Sequence, residues 1–202
     1  MRKIIALDAD GVLLDYHAAY RHAWEKAFGV LPELRDSEAY WPIDRWDVQK
    51  LSGAELASFR ACFDEEYWAN IPPISGAVAA CQDLSDAGYE LVCVSAIESQ
   101  FETTRLKNLQ NCGFPITRVV ATANSSDDGI SPKAQALQVL NPLAFVDDFA
   151  PYLLGIPGHI HKALILREPN GSPNVGENLA LADSRHADLM AFSYWWIVQA
   201  NN

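Results

Sequence analysis

Asp8 and Asp10 stand two residues apart, directly after the apolar run Lys3-Ile4-Ile5-Ala6-Leu7 and directly before Gly11. Two carboxylates in that place are chemically conspicuous. Unpaired buried charge is strongly unfavourable, so unless they are ordinary turn formers both must line an opening and meet a cation there. Gly11 lets the backbone turn sharply or come close to a ligand. Three further polar positions repeat the arrangement much later in the chain. Ser95 closes the apolar run at 90–94, Lys133 follows Pro132 at a helix start, and Asp147-Asp148 closes the run at 143–146.

These residues have to be positioned by something. The runs at 3–7, 90–94, 118–121, 143–146 and 162–166 are short, apolar and bounded by polar residues, which predicts buried strands of a parallel sheet. Helical patterns at 77–87, 99–112 and 132–140 alternate with them, and a last helix is expected at 184–198. Together they predict an α/β fold, a doubly wound parallel sheet with helices on both faces. Such sheets bind ligands outside the carboxyl ends of their strands. Asp8, Ser95 and Asp147-Asp148 each fall at such an end, and Lys133 opens a helix after the third strand. Four positions from distant parts of the chain thus converge on one edge.

Residues 16–70 read differently, as aromatic-rich helix without a convincing strand. A helix at 18–28 is expected to stop at Gly29, and one helix at 52–68 to start from a capping box of Ser52 and Glu55. This predicts an inserted helical subdomain at 16–70, with the core made of 1–15 and 71–202. The prolines at 72 and 73 suit an extended return linker.

Composition sets outer bounds. Half of the 202 residues are hydrophobic and a fifth are charged, as in ordinary globular chains. The formal net charge of −11 argues against a nucleic-acid polymer as partner, which needs a basic footprint. It does not exclude small anions, because local cations override the global field. No apolar run approaches the ~20 residues that span a bilayer, so no membrane partner is expected. An Asp arrives too early for a signal peptide, and a cytoplasmic location is expected. Cys62, Cys81, Cys93 and Cys112 lack C-x-x-C spacing and read as reduced core thiols; His17, His22, His159, His161 and His186 read as structural or surface residues. Asp127-Asp128, a second acidic pair, lies in a polar loop and reads as solvated.

The set Asp8-Ala9-Asp10-Gly11-Val12, Ser95, Lys133 and Asp147-Asp148 resembles, in the same order, the four motifs of the haloacid dehalogenase (HAD) superfamily of aspartyl-nucleophile hydrolases. The resemblance implies a Rossmann-like core with residues 16–70 as its cap domain. It implies that Asp8 attacks phosphorus and that Asp10 is the general acid and base. Ser95 and Lys133 would hold the phosphoryl oxygens, and Mg²⁺ would sit on Asp8, the Asp10 backbone carbonyl and Asp147 or Asp148. Asp10 favours phosphate esters, since the halide-displacing and phosphonate-cleaving branches lack an Asp there. The implied activity is a Mg²⁺-dependent phosphatase acting on a small phosphorylated substrate. A phosphomutase or phosphotransferase on the same core, or a non-catalytic phospholigand- or protein-binding member, are the alternatives.

The 16–70 segment carries Trp24, Phe28, Trp41, Trp46, Phe59, Phe63, Tyr67 and Trp68. Most should build that segment's own core, while one or two could stack on a flat leaving group. The stretch from Tyr67 through its Pro-Pro-Ile-Ser-Gly-Ala linker to Ser95 also resembles the deoxyribonucleotidase branch. That points to a nucleoside monophosphate, with a sugar phosphate next. Oligomeric state is not legible.

Overall fold

The computed structural model describes residues 3–122 and 129–200. Six parallel strands form one sheet in the order β3-β2-β1-β4-β5-β6. They are β1 (Ile4–Leu7), β2 (Glu90–Ser95), β3 (Arg118–Ala121), β4 (Ala144–Asp147), β5 (His161–Ile165) and β6 (Ser184–His186). The order reverses between β1 and β4, and that is the switch point where open α/β sheets place their ligands.

Alternation along the strands sends side chains to two cores. Ile5, Leu7, Leu91, Cys93 and Val146 pack with Ala80, Cys81 and Leu84 of α5 (Ala77–Asp86), Leu109 of α6 (Glu102–Asn111) and Phe192 of α8 (Leu189–Ala200). Ala6, Val92, Val94, Phe145 and Leu164 pack on the other face with Leu137 of α7 (Ala134–Leu140) and with Leu153 and Ile160. Nearly all of these are fully enclosed, and each large aliphatic side chain stabilises the sheet by about 1.5–3 kcal/mol relative to exposure. All four cysteines are free, with Cys62, Cys81 and Cys93 buried.

Between β1 and α5 the chain makes four helices: α1 (Tyr16–Phe28), α2 (Pro42–Arg45), α3 (Gly53–Arg60) and α4 (Glu65–Ala69). Asp15 caps α1 by accepting from the Ala18 amide at 3.0 Å, and Gly29 ends it in the left-handed region at φ 73°. The single helix expected at 52–68 is instead two. Ser52 makes no side-chain cap, whereas Asp64 accepts from the Tyr67 amide at 3.0 Å and starts a new helix. The turn between them gathers Phe59, Phe63 and Tyr67 into edge and tilted ring contacts of 5.1 and 4.6 Å.

Two more expectations need correction. The final helix begins at Leu189, because Ser184–His186 pairs in parallel with β5. The helix expected from Ser99 opens with a 3-10 turn, Ser99–Phe101. The Asp127-Asp128 pair lies outside the described residues. Among those described, no helix is long and apolar enough to cross a membrane.

Candidate active site

β1 ends in Asp8, whose amide donates to the Val146 carbonyl of β4 at 2.9 Å. β4 itself ends in Asp147, so adjacency in the sheet brings the two carboxylates together. Asp148 completes the group. One oxygen from each of Asp8, Asp147 and Asp148 lies within 4.8 Å of the others, and all three residues are buried.

Lys133 enters from the turn before α7 and is fully enclosed. Its Nζ donates to Asp8 Oδ1 at 2.6 Å and to Asp147 Oδ2 at 2.7 Å. Burial disfavours the ammonium, but Asp147 and Asp8 outweigh it and lift its pKa above the ordinary lysine value. Burial also raises the pKa of Asp147, against the pull of Lys133 and with the repulsion of Asp8 and Asp148. Asp148 is raised chiefly by burial as well, opposed by Arg167.

Gly11 makes this crowding possible. Its φ is +93°, and a Cβ there would run into the Asp148 carboxylate and come within 2.8 Å of Arg167 Nη2. Ser95, at the end of β2, is 1% exposed, and its Oγ has no hydrogen-bond partner among the described residues. A buried hydroxyl without a partner costs about 1–3 kcal/mol.

Asp10 does not join the acidic trio. Its Oδ2 accepts from Arg105 Nη2 at 2.8 Å, while its Oδ1 is enclosed without a partner among the described residues. Burial raises the Asp10 pKa; Arg105 pulls it down and Asp8 pushes it up.

The trio fits a small divalent cation by its donor chemistry. Hard carboxylate oxygens in a close group are the ligands Mg²⁺ takes, usually together with several waters. Among the described residues, Lys133 and Arg167 are the cations paired with this set of Asp8, Asp147 and Asp148.

Above the carboxylates opens a cavity of about 860 Å³, floored by Asp8, Asp10 and Gly11 and walled by aromatic rings from the α1–α4 segment. Trp24, Trp46, Phe59 and Tyr67 are at most 9% exposed and belong to the hydrophobic core. Trp41, at 42% exposed, and the half-buried Trp68 face the cavity. Trp46 does not; its Nε1 donates to the His17 carbonyl at 3.0 Å.

Four residues at the site escaped the sequence reading. Arg105 lies on one helical face with Leu109 and Cys112, so a charge on an apolar stripe was the available signal. Arg167 follows β5 by two residues, at the same sheet edge as Asp8, and donates to Asp148 Oδ2 at 3.1 Å. Tyr40 OH and Asn174 Nδ2 donate to the Asp148 carbonyl at 3.3 and 2.7 Å, and only the tertiary fold brings them there. His17, expected to be structural or at the surface, is 5% exposed and lines the cavity, and neither ring nitrogen has a hydrogen-bond partner among the described residues. Burial, then Arg167 and Arg45, lower its pKa to about 4.

Comparison with known proteins agrees with this geometry. Solved structures of similar fold include a haloacid dehalogenase-like hydrolase from Streptococcus pneumoniae, with a TM-score of 0.63 at 16% identity, covering 96% of this chain and 98% of that one. A HAD family hydrolase from Deinococcus radiodurans, solved with bound phosphate and sodium, gives a TM-score of 0.60 at 13% identity, covering 99% and 96%. A predicted phosphoglycolate phosphatase from Haemophilus somnus gives 0.60 at 14% identity, covering 100% and 98%. At such identities the likeness is one of fold. No curated protein sequence matches the chain. The family model described as 5′ nucleotidase, deoxy (pyrimidine), cytosolic type C protein matches residues 2–112, more than half of the chain and inclusive of Asp8, Asp10 and Ser95. The chain belongs to that 5′ nucleotidase family, and with it to the phosphatases of the haloacid dehalogenase superfamily.

Proposed function

We propose that the protein is a Mg²⁺-dependent phosphatase that hydrolyses a small phosphorylated metabolite, a nucleoside monophosphate in the first place, through an aspartyl-phosphate on Asp8. The observation that carries this reading is the Lys133 ammonium set between Asp8 and Asp147, beside Asp148 and beneath an aromatic cavity. Asp8, Asp147 and Asp148, with the Asp10 backbone carbonyl, would hold the ion. Bound there, it would shield the charge of the phosphoryl group from the attacking carboxylate.

The side chains supply the rest. An Asp8 oxygen attacks phosphorus and the bond to the leaving oxygen breaks, with Asp10 giving that oxygen its proton. Ser95 Oγ and Lys133 Nζ donate to the phosphoryl oxygens as charge builds on them. Water then attacks the aspartyl-phosphate while Asp10 takes a proton back, which frees phosphate and restores Asp8.

Residues 16–70 act as a cap over a core of 1–15 and 71–202. In support, the segment leaves and returns at one place: the Asp15 amide donates to the Pro72 carbonyl at 2.8 Å and the Ile74 amide to the Leu13 carbonyl at 2.9 Å. The aromatic walls of the cavity come chiefly from this cap and suit a flat leaving group.

Phosphate release from a panel of nucleoside monophosphates and sugar phosphates, with Mg²⁺ and with EDTA, tests the reading. Release that requires Mg²⁺ and is strongest on a nucleotide is expected. Full activity in thoroughly chelated buffer, or no release from any member of the panel, would overturn it.

A further inference from the structure

Asn174 lies in the stretch between β5 and β6 and is 6% exposed. Its Nδ2 donates to the Asp148 carbonyl at 2.7 Å, and its Oδ1 accepts from the Ala150 amide at 2.8 Å. These partners leave the side-chain amide one orientation, since a carbonyl can only accept and an N–H only donate. The backbone amide of Asn174 donates in turn to Ser172 Oγ at 3.2 Å, which fixes the residue within its own turn.

The bond to Asp148 acts on more than one residue. A trans peptide is planar, and its C=O and N–H point in opposite directions. The Asp148 carbonyl and the Phe149 N–H belong to one such plane. Asn174 holds the carbonyl end, and the N–H end donates to Asp147 Oδ1 at 2.9 Å. Tilting the plane therefore moves the donor that fixes one oxygen of Asp147, while Lys133 fixes the other. The bond from the Ala150 amide holds the next peptide, so both sides of Phe149 are pinned.

The same stretch holds the 16–70 segment. Asn170 joins it through backbone bonds to Glu38 and Tyr40, and the Gly171 carbonyl accepts from Trp41 Nε1. The Tyr40 hydroxyl also reaches the Asp148 carbonyl, at 3.3 Å, beside Asn174. Residues 170–174 thus meet the segment at one end and the backbone of the acidic trio at the other.

We propose, on the reading that Asp8, Asp147 and Asp148 hold the ion, that Asn174 is a positioning residue for that site, and that the 170–174 strap couples the site to docking of the 16–70 segment. Asn174 touches neither ion nor substrate. It keeps the Asp148–Phe149 peptide in the tilt that points the Phe149 N–H at Asp147, so the carboxylates are set before a cation arrives. Partners that orient metal ligands in this way typically carry roughly 10- to 100-fold of metal affinity. Coupling is reciprocal: whatever fixes the trio from the cation side also fixes the strap, and with it residues 36–46.

The test uses Mn²⁺, which takes the same hard oxygen ligands as Mg²⁺ and whose free form is counted by electron paramagnetic resonance. The ion is titrated into the whole chain without substrate and then displaced with Mg²⁺. Asn174→Ala should bind Mn²⁺ at least about tenfold more weakly than the wild type. Asn178→Ala is the control, because it frees the Pro173 carbonyl in the same stretch and leaves the bonds to 148–150 in place. It should bind within about twofold of the wild type, as sites without shared partners behave. Wild-type affinity in Asn174→Ala, or an equal loss in Asn178→Ala, overturns the role of Asn174. No Mn²⁺ binding by the wild type overturns instead the reading of the trio as an ion site. If Asn174→Ala does not fold, Asn174→Ser takes its place under the same outcomes, its hydroxyl being too short to span both partners.

Hydrogen exchange tests the coupling on the wild type itself. Mg²⁺ should slow exchange over residues 36–46 several-fold, and should slow it less in Asn174→Ala. Unchanged exchange in the wild type, or equal slowing in the two proteins, overturns the coupling.

Discussion

At the scale of the residue, charges and their neighbours set the behaviour of the site. His17 is the clearest case outside the acidic cluster. Enclosed among Arg167, Arg45 and Trp46, its ring stays neutral, with a pKa lowered to about 4 from an ordinary 6.5. The unfolded chain takes up a proton near 6.5 that the folded protein refuses until about 4. Stability must therefore fall as pH drops through that window and flatten below it, by up to about 3 kcal/mol. Urea denaturation from pH 7.5 to 4 should show this loss in the wild type and not in His17→Gln; parallel curves would mean that His17 is not held neutral. The sequence could not reveal this. A His next to Tyr16 carries no mark of enclosure, and its cationic neighbours come from positions 45 and 167. Asp8, Ser95 and Asp147 were legible because each closes an apolar run at a strand end, so local pattern located both the element and the group, whereas Lys133 was marked by Pro132 at a helix start. Arg105, Tyr40 and Asn174 lie mid-helix or in loops, where pattern is silent about what a side chain meets.

At the scale of the element, the turn after β1 decides whether the carboxylates can gather at all. Gly11 holds φ +93° against the Asp148 carboxylate. Gly11→Ala brings backbone strain of roughly 1–2 kcal/mol and a collision that moves Asp148 or Arg167. We expect a melting point lower by several degrees and a fall in kcat/KM of at least about tenfold, larger than partial unfolding explains. Thermal melts and Mg²⁺-supported phosphate release measure the two; a variant with both unchanged would show that the turn has slack. Strands were the most legible elements, because parallel strands buried on both faces leave continuous apolar runs. β6 was lost because Ser184-Arg185-His186 has no such run and is ordered by pairing with Ala163–Ile165. The break between α3 and α4 was lost because the 52–68 stretch keeps helical composition throughout. Asp64 stood there as a competing cap, and the aromatic packing of Phe59, Phe63 and Tyr67 settled the choice.

At the scale of the whole molecule, the 16–70 segment is tied down at more than its two ends. The Tyr40 amide donates to the Asn170 carbonyl at 2.9 Å, and the Asn170 amide to the Glu38 carbonyl at 3.0 Å. Asn170 Nδ2 donates to Asp36 Oδ2 at 2.9 Å and Trp41 Nε1 to the Gly171 carbonyl at 3.0 Å. On the far side, Asn108 Nδ2 of α6 donates to the Ala69 and Ile71 carbonyls, both at 3.0 Å. Asn170→Ala removes one exposed side-chain bond between the segment and Asn170 and should shift the segment toward detachment. Hydrogen exchange should then quicken over residues 36–46, with a rise in KM; unchanged exchange there would show that the backbone bonds alone suffice. The shared exit and return of this segment also bears on how the sheet assembles. Ile4 pairs with Glu90, and Leu14 bridges to Pro73 well inside that span. An open loop of that length must be closed before β1 and β2 meet, and most of it is the 16–70 excursion. If that excursion collapses first on its own aromatic core, the loop still to be closed shrinks to about a third, which lowers the entropic barrier to pairing β1 with β2 by about 1 kcal/mol. The segment that covers the cavity in the finished protein is thus also the one whose early order sets how quickly the central strands find each other.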